Sequence, residues 1–300
     1  MKNMKNPKRN EFSCFSCFSL FESPKSGGIL VFMLVVTATL TMLALFAGSM
    51  ASNRARLASD AVLRSTLRDE AFDAVAQTVA LINTDTNGVD HFSEPWAQPF
   101  RIGRVEMSIT DEKSRLHFPS ASRRAFASLL GDDEAAAAFV AWRDGHTNRV
   151  WKAEEELFEF ITDTRIHDPV RPHFGNLTAH GDGRGNVNTL PREVFFAFAA
   201  SAGVSAETAA RVFARLEEAR TRGDWFASLD LAEVSRVLAA GGIASVPTAE
   251  LMALNALLPV LCVESGLFRI TARATDGRVS QTIQCVCERG TGRILRWVEY

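Results

Sequence analysis

The sequence lacks the features that mark several classes of protein. With 47% hydrophobic and 23% charged residues, it does not have the composition of a disordered chain. It has no collagen-like Gly-x-y repeat, and it lacks the many long apolar runs of a polytopic membrane protein. Tyrosine occurs once against 21 phenylalanines, which excludes no function. The 300 residues are enough for one large domain or two small ones.

Basic charge is concentrated at the N-terminus and is scarce relative to acidic charge elsewhere. The formal net charge is −2, yet residues 1–28 carry more basic side chains than acidic ones, so the remainder is acidic on balance. A basic leader before an acidic body argues against a general nucleic-acid-binding protein. It favours a membrane crossing instead.

No charged residue occurs between Lys25 and Arg54, and the stretch from Ile29 to Met50 is almost wholly apolar. At about 1.5 Å per residue this stretch is about 33 Å long, enough to cross a hydrocarbon core of about 30 Å. The basic flank precedes it, so the N-terminus is expected in the cytoplasm and the chain after Arg54 outside it. The alternative is a secretory signal peptide cut near Gly48, but the apolar run is longer than such peptides usually have.

The next segment contains no helix breaker. Residues 51–82 have neither proline nor glycine, and their apolar residues recur at near-helical spacing. We predict one continuous helix from 29 to 82, about 80 Å long, that ends near Asn83 and Gly88. The alternative is a membrane anchor followed by a separate first helix.

The junction of leader and helix resembles a known processing site. Ser26-Gly27-Gly28 followed by Ile29 resembles the prepilin-peptidase site of type IV pilins and of the pseudopilins of type II secretion systems. The resemblance implies cleavage between Gly28 and Ile29, or else between Gly27 and Gly28. It also implies that the long helix is a pilin-like stem.

Most members of that family have a glutamate at the fifth mature position, and this sequence lacks it. Met33 stands there, or Phe32 for the other cut. A carboxylate in lipid is costly and is normally held by a partner, so a subunit without it lacks that contact with a neighbour. This absence is typical of the general secretion pathway protein K family, the largest minor pseudopilins, which the sequence resembles.

Further motifs follow in the order of that family. Glu94-Pro95-Trp96 resembles its tryptophan-containing segment, and Val105–Glu112 resembles the strand after it, which ends in an Asp-Glu turn. The family signature Asn-x-Asn-Thr-x-Pro is matched by Asn186, Asn188, Thr189 and Pro191. Asn188 or Thr189 could cap the helix that begins there, and Pro191 is tolerated in its first turn.

The fold class that these patterns predict is α+β. A long N-terminal pilin-like helix is expected to pack on a small antiparallel sheet, with a large helical (SAM-like, helix-hairpin-helix-like) domain inserted between the strands. Strands are predicted within 98–110, with a turn at Gly103, and at 267–275, 279–288 and 294–300, with Asp276-Gly277 as the hairpin turn between the second and third of these. Helices are predicted at 121–130, 133–143, 152–162, 191–201, 205–221, 229–240 and 248–258. The predicted divisions are the leader 1–28, the transmembrane half 29–50, the amphipathic half 51–88, the β domain 89–119 with 260–300, and the helical domain 120–259.

One segment supports a different function. The stretch from Phe198 to Ala209 resembles a helix-hairpin-helix, a motif that binds DNA phosphates through backbone N–H groups. The alternative function is therefore a membrane-anchored or secreted DNA-binding protein of a DNA-uptake system. Ser205 replaces the second glycine and Glu207 opposes a phosphate, so a hairpin that packs against protein is favoured.

The five cysteines fall into two groups. Cys14 and Cys17 lie in the leader, where they are expected to stay reduced and to leave with it. Cys262, Cys285 and Cys287 are expected outside the cytoplasm, where disulfides form. We predict a disulfide from Cys262 to Cys285 or Cys287, and the alternative is three buried thiols acting as small hydrophobic groups.

Signatures of catalysis are missing from the sequence. It has no His-Glu-x-x-His motif, no phosphate-binding loop and no nucleophile elbow, so we predict no enzyme and no cofactor. His167, His173 and His180 lack the fixed spacing of a zinc site. Members of the resembled family can hold calcium in the helical domain, and the candidates here are Asp163, Asp168 and Asp182, without an assigned ligand set.

The resemblance implies a function and a location. The protein is expected to be a minor pseudopilin of the inner membrane, single-pass, with a periplasmic C-terminal domain. It would form the tip of the periplasmic pseudopilus, initiate its assembly and support protein export. Its expected partners are the prepilin peptidase, the other minor pseudopilins and the major pseudopilin, with no nucleic acid and no small-molecule substrate.

Overall fold

The computed structural model describes residues 27–146, 149–164, 170–239 and 246–300. The chain divides into two compact units, with the boundary between Ala61 and Val62. The predicted leader, including Cys14 and Cys17, lies outside the described residues.

The long helix predicted from the sequence is present. The first helix, α1, runs from Gly27 to Thr84 over 58 residues. It is the one helix among the described residues that is long and apolar enough to cross a membrane, judged by length and composition. In the first unit its large apolar side chains are exposed, as an anchor helix requires. The observed end at Thr84 matches the end predicted near Asn83.

The remaining elements of the described residues follow α1 in chain order. The strands are β1 (Phe100–Ile102), β2 (Val105–Asp111), β3 (Leu116–His117), β4 (Leu177–Thr178), β5 (Gly185–Asn186), β6 (Leu261–Cys262), β7 (Leu267–Thr275), β8 (Ser280–Glu288) and β9 (Ile294–Glu299). The helices are α2 (Arg123–Leu130), α3 (Asp133–Asp144), α4 (Leu157–Thr164), α5 (Arg192–Ser201), α6 (Ala206–Arg222), α7 (Leu231–Ala239) and α8 (Thr248–Leu257).

Five strands form one antiparallel sheet in the order β1-β2-β7-β8-β9. Strand β2 pairs with β7 although the helices α2 to α8 lie between them in the chain, so the helical segment is an insertion within the sheet. Gly103 and Gly277 have φ angles of +58° and +89° in two of the tight turns of the sheet, a conformation that suits glycine. The predicted α+β class with a helical insertion is thereby confirmed.

The second half of α1 packs on one face of this sheet. Its buried residues recur at helical spacing (Leu67, Ala71, Ala74, Val75 and Ile82). They pack with alternate residues of the strands, among them Met107, Ile109, Phe268 and Ile270. The registered pair Ile109–Ile270 lies within this core, which we call the inner face of the sheet.

The insertion has a second core of its own. Phe118, Phe126, Phe139, Phe160 and Phe195 are fully buried in it, together with aliphatic residues of α5 to α8. Two short parallel pairs, β3 with β4 and β5 with β6, connect its loops. Two-residue strands carry no readable periodicity, which is why the sequence did not predict them. The helix predicted at 152–162 begins instead with a 3₁₀ turn at Glu154–Glu156.

Candidate functional site

The predicted cleavage site lies in the first turn of α1. Gly28 and Ile29 are both exposed, and the Ile29 side chain is 64% accessible. Ser26 and the rest of the leader lie outside the described residues. The cut between Gly28 and Ile29 stays a prediction.

Met33, at the predicted fifth mature position, lies on α1 with its side chain exposed. The threonine hydroxyls nearby donate hydrogen bonds to carbonyl oxygens of their own helix, as from Thr37 to Met33 at 2.9 Å and from Thr41 to Thr37 at 2.7 Å. The span therefore presents an apolar surface, with no carboxylate between Ile29 and Asn53.

Two of the signature residues, Asn186 and Thr189, bind a buried carboxylate at the end of β2. Asp111 Oδ2 accepts hydrogen bonds from Asn186 Nδ2 at 2.8 Å and from Thr189 Oγ1 at 2.7 Å. Asn186 Nδ2 also donates to the carbonyl oxygen of Asp90. The signature thus joins the insertion to a strand of the sheet and to the loop that follows the stem.

Asn188 has a different role within the insertion. Its Nδ2 donates to the Phe226 carbonyl at 3.0 Å, and its Oδ1 accepts from the Phe226 N–H at 2.9 Å. Neither Asn188 nor Thr189 caps α5, contrary to the sequence-based expectation, because these partners already occupy both side chains. Pro191 itself is the residue before the first turn of α5, and no side chain caps that helix.

Burial controls the electrostatics of this cluster. Asp111 is 2% exposed, and desolvation raises its pKa, while hydrogen bonds from Ser265, Thr189 and Asn186 limit the rise. Desolvation also raises the pKa of Asp90 to about 6, and the Ser265 N–H and the Arg289 guanidinium act against that rise. Arg289 lies 2.7 Å from Asp90.

A network of ion pairs lies on part of the other face of the sheet, which we call the outer face. Arg269 of β7 contacts both Glu112 and Glu154, and Arg296 of β9 lies 3.3 Å from Glu154. Arg296 also pairs with Glu155 of the insertion. This network, which includes Arg115 at 3.9 Å from Glu112, connects the sheet to the insertion.

The charges in this network stabilise each other. Burial alone would raise the pKa of Glu112, but the neighbouring Arg269 and Arg115 guanidinium groups lower it below its ordinary value. Burial likewise opposes the charge of Arg269, but Glu112 and Glu154 raise its pKa. Removal of one partner from a buried ion pair of this kind strongly destabilises the folded protein, because the other charge is left unpaired. The arrangement can hold two structural layers in register, and it places no nucleophile in an activated setting.

The three cysteines expected outside the cytoplasm are free thiols, so neither predicted disulfide is formed. Cys285 and Cys287 both point into the inner core from β8. Cys262 lies on β6 beside the insertion, where its thiol donates to the Glu264 carbonyl at 3.3 Å. Burial raises the pKa of Cys285 to about 12 and that of Cys287 to about 11, which fits the alternative of thiols acting as small hydrophobic groups.

Of the candidate calcium ligands, Asp182 is the one whose side chain the structure describes. Asp182 binds Arg184 at 2.7 Å and lies 3.5 Å from Lys113, while His167, Asp168 and the Asp163 side chain lie outside the described residues. Another group of carboxylates, Asp85, Asp90 and Glu94, does lie close together. Arg289 neutralises part of its charge, and Glu94 accepts hydrogen bonds from Asn87 and Trp96.

The helix-hairpin-helix resemblance corresponds to α5, the turn at Gly203 and α6. Ser205 caps α6 by accepting a hydrogen bond from Thr208 N at 3.2 Å. Glu207 pairs with Arg211 at 2.7 Å and remains exposed. The turn therefore presents a carboxylate where a phosphate would lie, and its hydrogen-bonding groups serve the hairpin itself.

Sequence reasoning missed the residues that join the layers. The sequence predicts only a turn for Asp111 and Glu112, and only a strand for Arg269. Alternation along a strand places successive residues on opposite faces, but it does not reveal that a charged face will be covered. The buried partners come from residues far away in sequence, so no local signal identifies them.

Comparison with known proteins supports the fold. No family model matches the sequence, and no curated protein matches it. A solved structure does match, the crystal structure of the GspK-GspI-GspJ complex from the type 2 secretion system of enterotoxigenic Escherichia coli. The match has a TM-score of 0.54 at 13% sequence identity, and it covers 82% of this chain and 99% of the matched chain. At this identity, the likeness concerns the fold.

Proposed function

We propose that this protein is a minor pseudopilin at the tip of the pseudopilus of a type II secretion system, where it initiates assembly and supports protein export. The observation that carries the proposal is the combination of a pilin-like stem on an antiparallel sheet with a large helical insertion. The same fold occurs in a chain of the secretion complex named above. The other subunits of such a complex would be its partners.

The proposed location follows from the stem. The apolar half of α1 would remain in the inner membrane, with the basic leader in the cytoplasm and the sheet and insertion in the periplasm. Cleavage at Gly28 would free the apolar helix to pack laterally with other stems. Such packing needs close van der Waals contact and no catalysis.

Two features support a position at the tip. Met33 cannot form the polar contact that a glutamate at the fifth position would make with a neighbouring subunit. The insertion adds a second hydrophobic core to the sheet domain, and so makes the head larger than a stem and sheet alone. Both features fit a subunit that begins a filament.

Processing at the proposed site is the first test. The mature protein should begin at Ile29 when its N-terminus is sequenced from membranes that contain the prepilin peptidase. Gly28→Val should block this processing, whereas the matched variant Gly27→Val should leave it largely intact. The reverse pattern would assign the cut to Gly27/Gly28, and a start near Met50 or Ala51 would reject a pilin-like stem.

Export is the second test. Deletion of the gene should abolish or strongly reduce secretion of the proteins that the type II system exports, and the full-length chain should restore it. Met33→Leu should also restore secretion, because it keeps the apolar surface of the span. Normal secretion after the deletion would contradict the proposed role.

A further inference from the structure

A pocket lies between the insertion and the outer face of the sheet. Its volume is about 370 Å³. The ion-pair network contributes Arg115, Glu154 and Arg269 to its wall, and Phe158 and Phe174 form the aromatic part of the wall. Charged groups and apolar rings therefore face the same space, as they do in many sites that bind small organic ligands.

Arg115 is the charged residue of this wall that has no hydrogen-bonded partner. Its side chain donates no hydrogen bond to a described residue, and its nearest carboxylate is that of Glu112, 3.9 Å from Nε. Both oxygens of Glu112 already accept hydrogen bonds, one from Arg269 and one from Thr178. The Arg115 side chain is 15% accessible and none of its nitrogens is fully enclosed, so its N–H groups remain open to a ligand in the pocket.

The charge of Arg115 is poorly compensated in this setting. Burial lowers the pKa of Arg115, and the nearby guanidinium groups of Arg269 and Arg296 act in the same direction. Glu112 and Glu154 oppose this decrease without cancelling it. Because a largely buried cation without hydrogen-bonded partners is costly, an anion at its N–H groups would stabilise it.

The rest of the wall selects the class of anion. A guanidinium presents a planar fork of N–H groups that matches a carboxylate or a phosphate. Glu154 and Glu155 also line the pocket, so a doubly charged phosphate would be repelled more strongly than a carboxylate. The rings of Phe158 and Phe174 lie edge to face with centroids 4.7 Å apart, and they offer a surface for an apolar group.

We propose that this pocket, which we call the Arg115 pocket, binds a monocarboxylate that carries an apolar group, as a free acid or at the C-terminus of a polypeptide. Arg115 forms the ion pair with the carboxylate, and Phe158 and Phe174 contact the apolar group. This binding function is additional to the proposed role at the tip, and either can fail without the other.

The test is calorimetric titration of the full-length chain in an uncharged detergent. The probes are 3-phenylpropionate for a free acid and N-acetyl-phenylalanine for a polypeptide terminus. The neutral amide of each probe and inorganic phosphate are the comparison ligands. At least one carboxylate should bind about tenfold or more tightly than its amide, because the amide lacks the charge-assisted hydrogen bonds. The carboxylate that binds more tightly identifies the source.

Two variants test the residues of the pocket. Arg115→Gln should weaken carboxylate binding about tenfold or more and leave the affinity for the amide unchanged. Arg192→Gln removes the same charge from the exposed side of α5 and should leave binding intact. Gly175 lines the pocket, and a Cβ there would meet no atom within 4 Å, so Gly175→Leu should obstruct the pocket without disturbing the network.

Thermal melting of each variant separates lost binding from lost folding. If Arg115→Gln does not fold, Gly175→Leu decides, and it should weaken binding of the carboxylate. Equal affinities for acid and amide, phosphate binding as tight as that of the carboxylates, or unchanged binding in a folded Arg115→Gln or Gly175→Leu chain would overturn the inference. So would the failure of both carboxylates to bind the parent chain.

Discussion

The two faces of the five-stranded sheet make different kinds of contact. The inner face packs against α1 through apolar side chains such as Phe268 and Ile270. The outer face presents Arg269 and Arg296 to glutamates of the turn after β2 and of the insertion. Apolar packing requires only matched shape and volume, whereas the charged face requires specific partners. The stem side should therefore tolerate conservative change, and the insertion side should not.

The largest effect is expected on the inner face. Phe268 is fully buried against the stem and Trp96, so Phe268→Ala should lower the free energy of unfolding by about 4 kcal/mol through lost burial and a cavity. Chemical denaturation of the mature chain in detergent measures this change. Phe268→Leu should cost much less, and an equal cost for the two variants would contradict the packing described here.

Removal of one charge from the outer face should give the second largest loss in the free energy of unfolding. Arg269→Met leaves Glu112 and Glu154 without their main partner and should lower the free energy of unfolding by about 3 kcal/mol. Adding Glu112→Gln and Glu154→Gln should recover part of this loss, since no carboxylate then remains unpaired. No inner-face variant can be rescued in this way. Simple additivity of the three changes would argue against the network.

Changes to the hydrogen-bonded cluster of Asp111, Asn186 and Thr189 should lower the free energy of unfolding by a smaller amount. Asp111→Ala leaves the donors of Asn186 and Thr189 without their acceptor and should cost about 2 kcal/mol. Asp111→Asn retains a hydrogen-bond acceptor of the same shape and should cost about half as much. Hydrogen exchange of the amides around Asn186 should increase in the alanine variant. If Asp111→Asn were as unstable as Asp111→Ala, the hydrogen-bond acceptor at position 111 would not contribute to stability.

Proton binding offers a weaker test of the same junction. Because the pKa of Asp90 is raised to about 6 in the folded chain, the folded state binds a proton that the unfolded state lacks between about pH 4 and pH 6. The parent should therefore gain stability relative to Asp90→Asn as the pH falls from 7 to 5, by about 1 kcal/mol.

The pH dependence of the parent's free energy of unfolding does not by itself isolate the contribution of Asp90. Burial lowers the pKa of His91, His117 and His180. As the pH falls through the ordinary pKa of histidine, these three groups therefore lower the free energy of unfolding. Their contribution is the same in parent and variant and cancels in the difference. A difference between parent and Asp90→Asn that does not vary with pH would show that Asp90 has an ordinary pKa.

The smallest effect concerns the thiols. If Cys262, Cys285 and Cys287 are free, a reductant should leave the melting temperature unchanged, and Cys262→Ala should change the free energy of unfolding by less than about 0.5 kcal/mol. In the folded chain, Cys262 should react with a thiol reagent before the two fully buried cysteines. A disulfide found in the unreduced chain by mass spectrometry would restore the original prediction.

Local patterns predicted most of the elements because each element repeats its signal over many residues. The apolar spacing of 51–82 predicted the stem, and the Asp276-Gly277 turn predicted the hairpin of β7 and β8. The cysteine pairing went wrong for a physical reason. Cys285 and Cys287 alternate into the core beneath α1, while Cys262 lies on β6 next to the insertion. The sequence shows that Cys285 and Cys287 lie on the same face of β8, but it does not show where β6 lies relative to β8.

The sequence by itself determined the apolar span, the amphipathic stem, the alternating strands and the signature residues Asn186, Asn188, Thr189 and Pro191. The span, the stem and the strands depend on composition and on periodicity, which act over neighbouring residues, whereas the signature residues were identified by their resemblance to a known family. Only the tertiary structure decided that Asp111 would accept hydrogen bonds from Asn186 and Thr189, and that Arg269 would be buried between Glu112 and Glu154. Each of those contacts joins residues dozens of positions apart, and their pairing depends on which layers the fold brings together.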